Sequence, residues 1–327
     1  MRAPEFWRRE SAWSSLLDPI GRAYAAAGRV RAALTTPWRA PIPVICVGNL
    51  VAGGAGKTPT AISIAALLRE AGRNVHFLSR GYGGRLRGPI RVNDTTHGVG
   101  DVGDEALLLA TVAATWVSRD RRRGTAAAAA AGAEIIVMDD GFQNPSLIKD
   151  VSFVVVDGGY GFGNRRLIPA GPLREPIGRG LARATAAVLI GGDDAACAAH
   201  VAEHGLPLLR ARLAPHPDSH GLAGKAVFAF AGIGLPEKFF ATLSEIGCRV
   251  VARRSFPDHH PFTPDEIMAI CEEATSLGAL PVTTAKDAVR LPAEARPMVK
   301  VVRVGLIFED PSAVTRLLRP ALDRVHP

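Results

Sequence analysis

The stretch Val44-Ile45-Cys46-Val47-Gly48-Asn49-Leu50-Val51-Ala52-Gly53-Gly54-Ala55-Gly56-Lys57-Thr58 constrains this chain more than any other. Val44 to Val47 is the short apolar run of a buried strand, and Pro59 to Arg69 repeats apolar side chains at helical spacing. A strand, a glycine-rich turn and a helix start together form a device for holding phosphate. Glycines let backbone N–H groups close on the oxygens, and the helix N-terminus adds unpaired donors and the positive end of its dipole. In this reading Val51, Ala52, Gly53, Gly54, Ala55 and Gly56 wrap a nucleoside triphosphate, Lys57 reaches its outer phosphates, and the Thr58 hydroxyl ligates magnesium. The usual pattern has glycine where this chain has Val51, so the Gly53-Gly54 pair is expected to make the tight turn.

A magnesium ion needs carboxylates, and two places offer them. Ile135 to Met138 is an apolar strand that empties into Asp139-Asp140-Gly141-Phe142-Gln143-Asn144. Acidic residues at the end of a buried strand are the arrangement that puts a carboxylate on the metal of a bound nucleotide. They are costly to bury there unless a cation compensates them. Asp104-Glu105 opens the apolar helix Ala106 to Ala110, where carboxylates suit the positive dipole end. They are either helix caps or a general base beside a metal-side carboxylate at a strand's mouth.

Two loops add cations. Arg80-Gly81-Tyr82-Gly83-Gly84-Arg85 follows the strand Asn74 to Ser79, and reads as a solvated turn or as a loop that closes on an anion. Arg165 to Pro176, with Arg174 near its end, is stiffened by prolines and suits either a rigid surface loop or a grip on phosphate or carboxylate. Further on, Phe256-Pro257-Asp258-His259-His260-Pro261-Phe262-Thr263-Pro264 sets a histidine beside an aspartate. It is expected to cap a helix through Thr263, and His259 could orient a catalytic carboxylate.

The alternation of strands and helices requires an α/β fold with a mostly parallel sheet covered on both faces. The boundaries expected are an N-terminal amphipathic segment over 1–43, a P-loop unit over 44–212, a linker over 213–221 and a smaller α/β unit over 222–327. In the first segment Phe6, Trp7, Trp13, Leu16, Leu17, Ile20 and Tyr24 recur at helical spacing beside Arg8, Arg9, Arg22, Arg29 and Arg31. Such a helix lies either in a membrane interface or against the protein's own core. Pro19 is expected in a first turn or at a break between two helices. No segment has the ~20 apolar residues that span a bilayer, and no secretory signal is evident. The net charge of +8 suggests an anionic partner. The four cysteines are too scattered for a metal site and are expected to be reduced thiols.

Taken in order, Gly48-Asn49-Leu50 with Gly53 to Pro59, Ser79-Arg80-Gly81-Tyr82-Gly83, Val102-Gly103-Asp104-Glu105 and Asp139 to Gln143 resemble motifs of the tetraacyldisaccharide 4′-kinase family. So do Pro169 to Glu175, Phe256 to His259 and Lys286-Asp287-Ala288-Val289. The resemblance implies transfer of the ATP γ-phosphate, with Mg²⁺, to the 4′-hydroxyl of a tetraacylated disaccharide 1-phosphate, giving lipid IVA. It implies peripheral attachment to the cytoplasmic face of the inner membrane and tips the N-terminal helix towards the membrane; no nucleic-acid partner is expected, since no basic helix with interleaved aromatics lies beyond the N-terminus. Carried over, Asp104 resembles the catalytic base and His259 its partner; Glu105, Asp139 and Asp140 resemble the magnesium-side carboxylates alongside Thr58. Arg174 is similar to a substrate-contacting arginine, and Arg80 and Asn144 are expected on the substrate side with it. Asn144 stands where the family has histidine, and Ala285 where it has glutamate. The alternative is a membrane-associated P-loop ATPase switch, but Ala52 replaces the signature lysine of partitioning ATPases and no guanine-reading N-K-x-D occurs.

Overall fold

The computed structural model describes residues 4–324; residues 1–3 of the N-terminal segment and 325–327 at the other end lie outside the described residues. The strands are β1 (Val44–Gly48), β2 (Val75–Ser79), β3 (Ile90–Arg91), β4 (Thr115–Val117), β5 (Ile135–Asp139), β6 (Val151–Asp157), β7 (Ala186–Ile190) and β8 (Leu208–Pro215), then β9 (Ala226–Ala231), β10 (Arg249–Ser255), β11 (Leu280–Thr284), β12 (Lys300–Val302) and β13 (Val304–Phe308). They form a nine-stranded sheet in the order β13-β8-β7-β6-β1-β5-β2-β4-β3 and a four-stranded sheet in the order β10-β9-β11-β12.

β1, β5 and β7 are buried at every residue, as continuous apolar runs must be when helices cover both faces of a parallel sheet. The large sheet is parallel except at its edges, where β13 pairs antiparallel with β8 and β3 with β4. The four-stranded sheet is parallel throughout. β1 lies between β5 and β6: the chain passes from β1 to β2, β4 and β5 on one side of it and then crosses to β6 on the other. Such a reversal opens a crevice beyond the carboxyl ends of the strands, where α/β sheets bind ligands.

The helices that matter for the site are α1 (Ala12–Ala33), α2 (Lys57–Glu70), α3 (Val99–Val102), α4 (Asp104–Ala110) and α5 (Arg121–Ala130). α1 opens on a capping box between Ser11 and Ser14 and runs unbroken through Pro19, against the expectation of a first-turn position or a break. Proline forfeits the bond to the Ser15 carbonyl, but Ser15 and Pro19 are both exposed, so water can take that carbonyl. α1 buries only Ser14, Gly21 and Ala25, and exposes Trp13, Leu16, Ile20 and Tyr24. No helix among the described residues is long and apolar enough to cross a membrane.

Two differences concern the second unit. Leu213, Ala214 and Pro215, expected in a linker, are the end of β8 and pair with Leu306, Gly305 and Val304 of β13. The apolar run Val299 to Val304, which alone reads as one strand, divides between β12 and β13, which belong to different sheets. The small sheet therefore spans 226–302, while β13 and the helix Pro311–Asp323 return to the large one. Val314, Leu318 and Ala321 of that helix bury their side chains in the large sheet's core, an apolar face that could not be covered otherwise.

Candidate active site

At the carboxyl end of β1 the chain turns into α2 through two left-handed glycines, Gly53 (φ 120°) and Gly56 (φ 82°). Val51 needs no such freedom. It forms an antiparallel bridge with Leu173, and the neighbouring Ala52 N–H donates to Pro172 O at 2.7 Å. Extended backbone suits a β-branched residue, which explains why valine can stand where glycine is usual. Gly56 packs against Ile190 of β7, where an added Cβ would come within 2.5 Å of a methyl group. Lys57 Nζ donates to Gly53 O at 3.2 Å and lies 3.8 Å from Asp140 Oδ1.

The Thr58 hydroxyl donates to Asp139 Oδ2 at 2.9 Å. Asp139 is 2% exposed and its Oδ1 has no hydrogen-bond partner. Burial, with a push from Glu105, raises its pKa to about 7. A buried carboxylate with an orphaned oxygen is an energetic debit until a cation reaches it. Thr58, Asp139, Glu105 and Asp140 are hard oxygen donors, which suit Mg²⁺. Among the described residues no three His, Cys, Asp or Glu side chains converge to hold a metal by themselves.

Asp140 adopts the left-handed region (φ 49°), which aspartate tolerates. Arg174 Nη1 donates to its Oδ1 at 2.8 Å. Burial opposes its ionisation, but Lys57 and Arg174 together hold its pKa below the usual value. Arg174 also reaches Gln143 Oε1 at 3.4 Å. Asn144 spends its carboxamide oxygen on its own loop, accepting from Ser146 N–H at 2.9 Å and Ser146 Oγ at 2.7 Å. Its position there is that of a turn cap.

Asp104 is the first residue of α4 and is 2% exposed. It follows Gly103 (φ 85°), where any Cβ would come within 2.2 Å of Tyr82 O. His259 Nδ1 lies 2.8 Å from Asp104 Oδ2. An ionised carboxylate only accepts, so Nδ1 carries the proton, leaving Nε2 to face Lys286 Nζ at 3.4 Å. Lys286 Nζ and Arg290 Nε each lie 3.8 Å from Asp104 Oδ2. Burial alone would raise the Asp104 pKa; the His259 hydrogen bond and the Lys286 and Arg290 charges outweigh it, and the pKa is lowered.

The structure thus brings Lys57, Thr58, Glu105, Asp139, Asp140 and Arg174 together, and joins Asp104 to His259. Arg80 is exposed just beyond the end of β2, near enough to Arg121 for the two charges to repel. One residue escaped the sequence reading. Arg121, first in α5, is buried and donates through Nη1 to Ser118 O at 2.9 Å. Burial lowers its pKa to about 10, and it helps to neutralise Asp140. Its signal was a cation just beyond β4, near the mouth of the sheet.

A family model described as tetraacyldisaccharide-1-P 4′-kinase matches residues 13–323. The chain is similar to the tetraacyldisaccharide 4′-kinase of Rhodospirillum rubrum, with 57% identity over 321 residues and 97% of each chain covered. It is also similar to that of Rhodospirillum centenum, with 54% identity over 328 residues, covering 98% of this chain and 97% of the relative. Among solved structures it resembles the "apo" form of LpxK from Aquifex aeolicus in complex with ATP. The TM-score is 0.75 at 28% identity, covering 94% of this chain and 99% of that one.

Proposed function

The chain belongs to the tetraacyldisaccharide-1-P 4′-kinase family and is an ATP-dependent tetraacyldisaccharide 4′-kinase of lipid A biosynthesis, and we propose how its residues divide that work. The switch-ATPase alternative falls with that membership. The observation that carries the division is a juxtaposition. Asp104 is bonded to His259, while Glu105, next in sequence, acts on Asp139, which holds Thr58 at the start of α2. The acceptor's base and the nucleotide's metal corner are thus adjacent.

The backbone N–H groups from Val51 to Gly56 would cradle the phosphates, and Lys57 would exchange its contact with Gly53 O for the γ-phosphate. Thr58, Asp139, Glu105 and Asp140 would hold Mg²⁺, which when bound neutralises charge on the β- and γ-phosphate oxygens. Asp104 accepts the proton of the 4′-hydroxyl through its carboxylate as the oxygen attacks phosphorus. A lowered pKa makes it a weak base, but in a loose phosphoryl-transfer transition state the proton leaves late. His259 orients that carboxylate through Nδ1–H, and Lys286 keeps the imidazole in this tautomer by donating to Nε2. Arg174, Arg80 and Asn144 would meet the sugar and phosphate portions of the substrate, with Arg174 released from Asp140 as the anion arrives. Positioning and charge neutralisation supply most of the rate in such a site.

The acyl chains of the substrate keep it in a leaflet, and the apolar face of α1 that includes Trp13, Leu16, Ile20 and Tyr24 supports docking there from the cytoplasmic side. Replacing Trp13, Leu16 and Ile20 by serine is expected to move the protein from membrane to soluble fractions; unchanged fractionation would mean that α1 serves only the fold. The catalytic assignment is tested with purified protein, labelled ATP and the disaccharide 1-phosphate. A labelled 4′-phosphate is expected from the wild type and none from Lys57→Ala; product from that variant would refute the site.

A further inference from the structure

Asp287 and Arg290 lie behind the Asp104–His259 pair, on the short helix Ala285–Ala288 and just after it. Their side chains are 0% and 2% exposed, and Arg290 Nη2 donates to Asp287 Oδ1 at 2.8 Å. A buried ion pair often adds nothing to stability over apolar residues of similar size, so its presence asks for another reason.

What the pair holds supplies that reason. Asp287 Oδ1 also accepts the Gly232 N–H at 3.0 Å, and Arg290 Nη2 also donates to the Gly232 carbonyl at 3.0 Å. The two charges therefore grip one residue by both of its backbone groups. The His259 N–H donates to the same Gly232 carbonyl at 3.1 Å. His259 sits at φ 60°, a conformation that is unfavourable for a non-glycine residue and persists only where its surroundings impose it. Thr284 Oγ1 donates to Asp287 Oδ2 at 2.6 Å and pins the carboxylate. The guanidinium Nε lies 3.8 Å from Asp104 Oδ2, and Nη1 is buried without a hydrogen-bond partner.

We propose that Asp287 and Arg290 are positioning residues for phosphoryl transfer: they clamp Gly232, which seats His259 in its left-handed conformation with Nδ1–H on Asp104. The inference rests on the reading of Asp104 and His259 as the base and its partner. It assigns to the small sheet the task of aiming a base that belongs to the large one.

The test compares Arg290→Gln and Arg290→Lys with wild type, each also in a His259→Ala background, with Lys57→Ala as the inactive control. Arg290→Gln is expected to lower kcat by about 10- to 100-fold, as misplacing a base does, with the KM for ATP within about twofold of wild type. Arg290→Lys should recover part of the loss. In the His259→Ala background the same changes should each cost clearly less than in wild type, leaving only the loss of the Arg290 charge beside Asp104, because residues acting through one another are not additive. Additive losses, or an Arg290→Gln enzyme as fast as wild type, would overturn the inference. So would thermal melts showing that both variants fail to fold, since the pair would then serve the fold alone. If wild type itself transfers no phosphate, the kinase division of labour fails instead.

Discussion

Asp139 and Asp104 are each 2% exposed, yet their surroundings treat their charges in opposite ways. Around Asp139 burial and Glu105 work against ionisation, Lys57 and the Thr58 hydroxyl only partly answer them, and one oxygen is left without a hydrogen bond. Around Asp104 a histidine at 2.8 Å and two cations at 3.8 Å overcome burial. The first site is under-compensated and the second is fully answered by protein. The contrast supports the proposed division of two jobs within one crevice. A group meant to receive a cation is stabilised by what binds, whereas a group meant to receive a proton must be ionised and aimed beforehand.

The largest effect that could break this contrast lies at Asp104. Asp104→Asn keeps the shape but cannot accept a proton, so kcat should fall by about 10²- to 10⁴-fold while the KM for ATP changes little. Steady-state kinetics on both substrates would check it, and a fall in ATP affinity equal to the fall in kcat would move Asp104 to the nucleotide side. Asp139→Asn should act in the other direction. The Mg²⁺ concentration for half-maximal rate should rise by about 10- to 100-fold, the scale seen when a metal's supporting groups are altered. Saturating Mg²⁺ should then restore much of kcat. If excess Mg²⁺ restores nothing, the two carboxylates share one role and the contrast fails.

How readily the two sites can be read from the sequence follows the same division. Val44 to Thr58 and Ile135 to Asp140 are local signals, a strand running into a turn, and the strands, the turn and the Thr58–Asp139 contact follow from them. The ionisation of Asp104 depends on His259, Lys286 and Arg290, which arrive from the small sheet far along the chain. Only His259 among these was assigned a part, from its place beside Asp258 in a proline-stiffened loop, with Asp104 named as its partner through the family resemblance, and no periodicity announces the Gly232 clamp. Arg121 escaped because an arginine opening a helix is ordinarily a solvated one; its burial is set by how α5 packs on β2 and β4. The misplaced linker has a similar cause. Pro215 and the polar residues after it read as a loop, but β13 supplies an edge partner that only the closed chain can offer.

The smallest expected effect is on stability, where the two carboxylates should carry opposite signs in metal-free protein. Asp139 has a folded pKa raised to about 7 above an ordinary carboxylate value of 3.8, so the folded state binds the proton more tightly than the unfolded one. Its contribution is therefore fully present below about pH 3.8 and is lost as pH rises through about 7. Asp104 has a lowered folded pKa, so its contribution is present above the ordinary value and lost as pH falls through the folded one. At pH 8 without Mg²⁺, Asp139→Asn removes a buried, poorly answered charge and should raise Tm by a few degrees, for about 1–3 kcal/mol. Asp104→Asn removes the carboxylate that His259, Lys286 and Arg290 jointly stabilise, although Asp258 and Asp287 still answer the two cations, and should lower Tm by a similar amount or less. Adding Mg²⁺ with ATP should stabilise wild type more than Asp139→Asn, because a ligand stabilises a fold more the more tightly the folded state binds it. Thermal melts of both variants at pH 6 and pH 8, with and without Mg²⁺ and ATP, measure all of this. Shifts of the same sign in both variants would mean that the two carboxylates are compensated alike, and that the crevice does not distinguish a metal's ligand from a proton's acceptor.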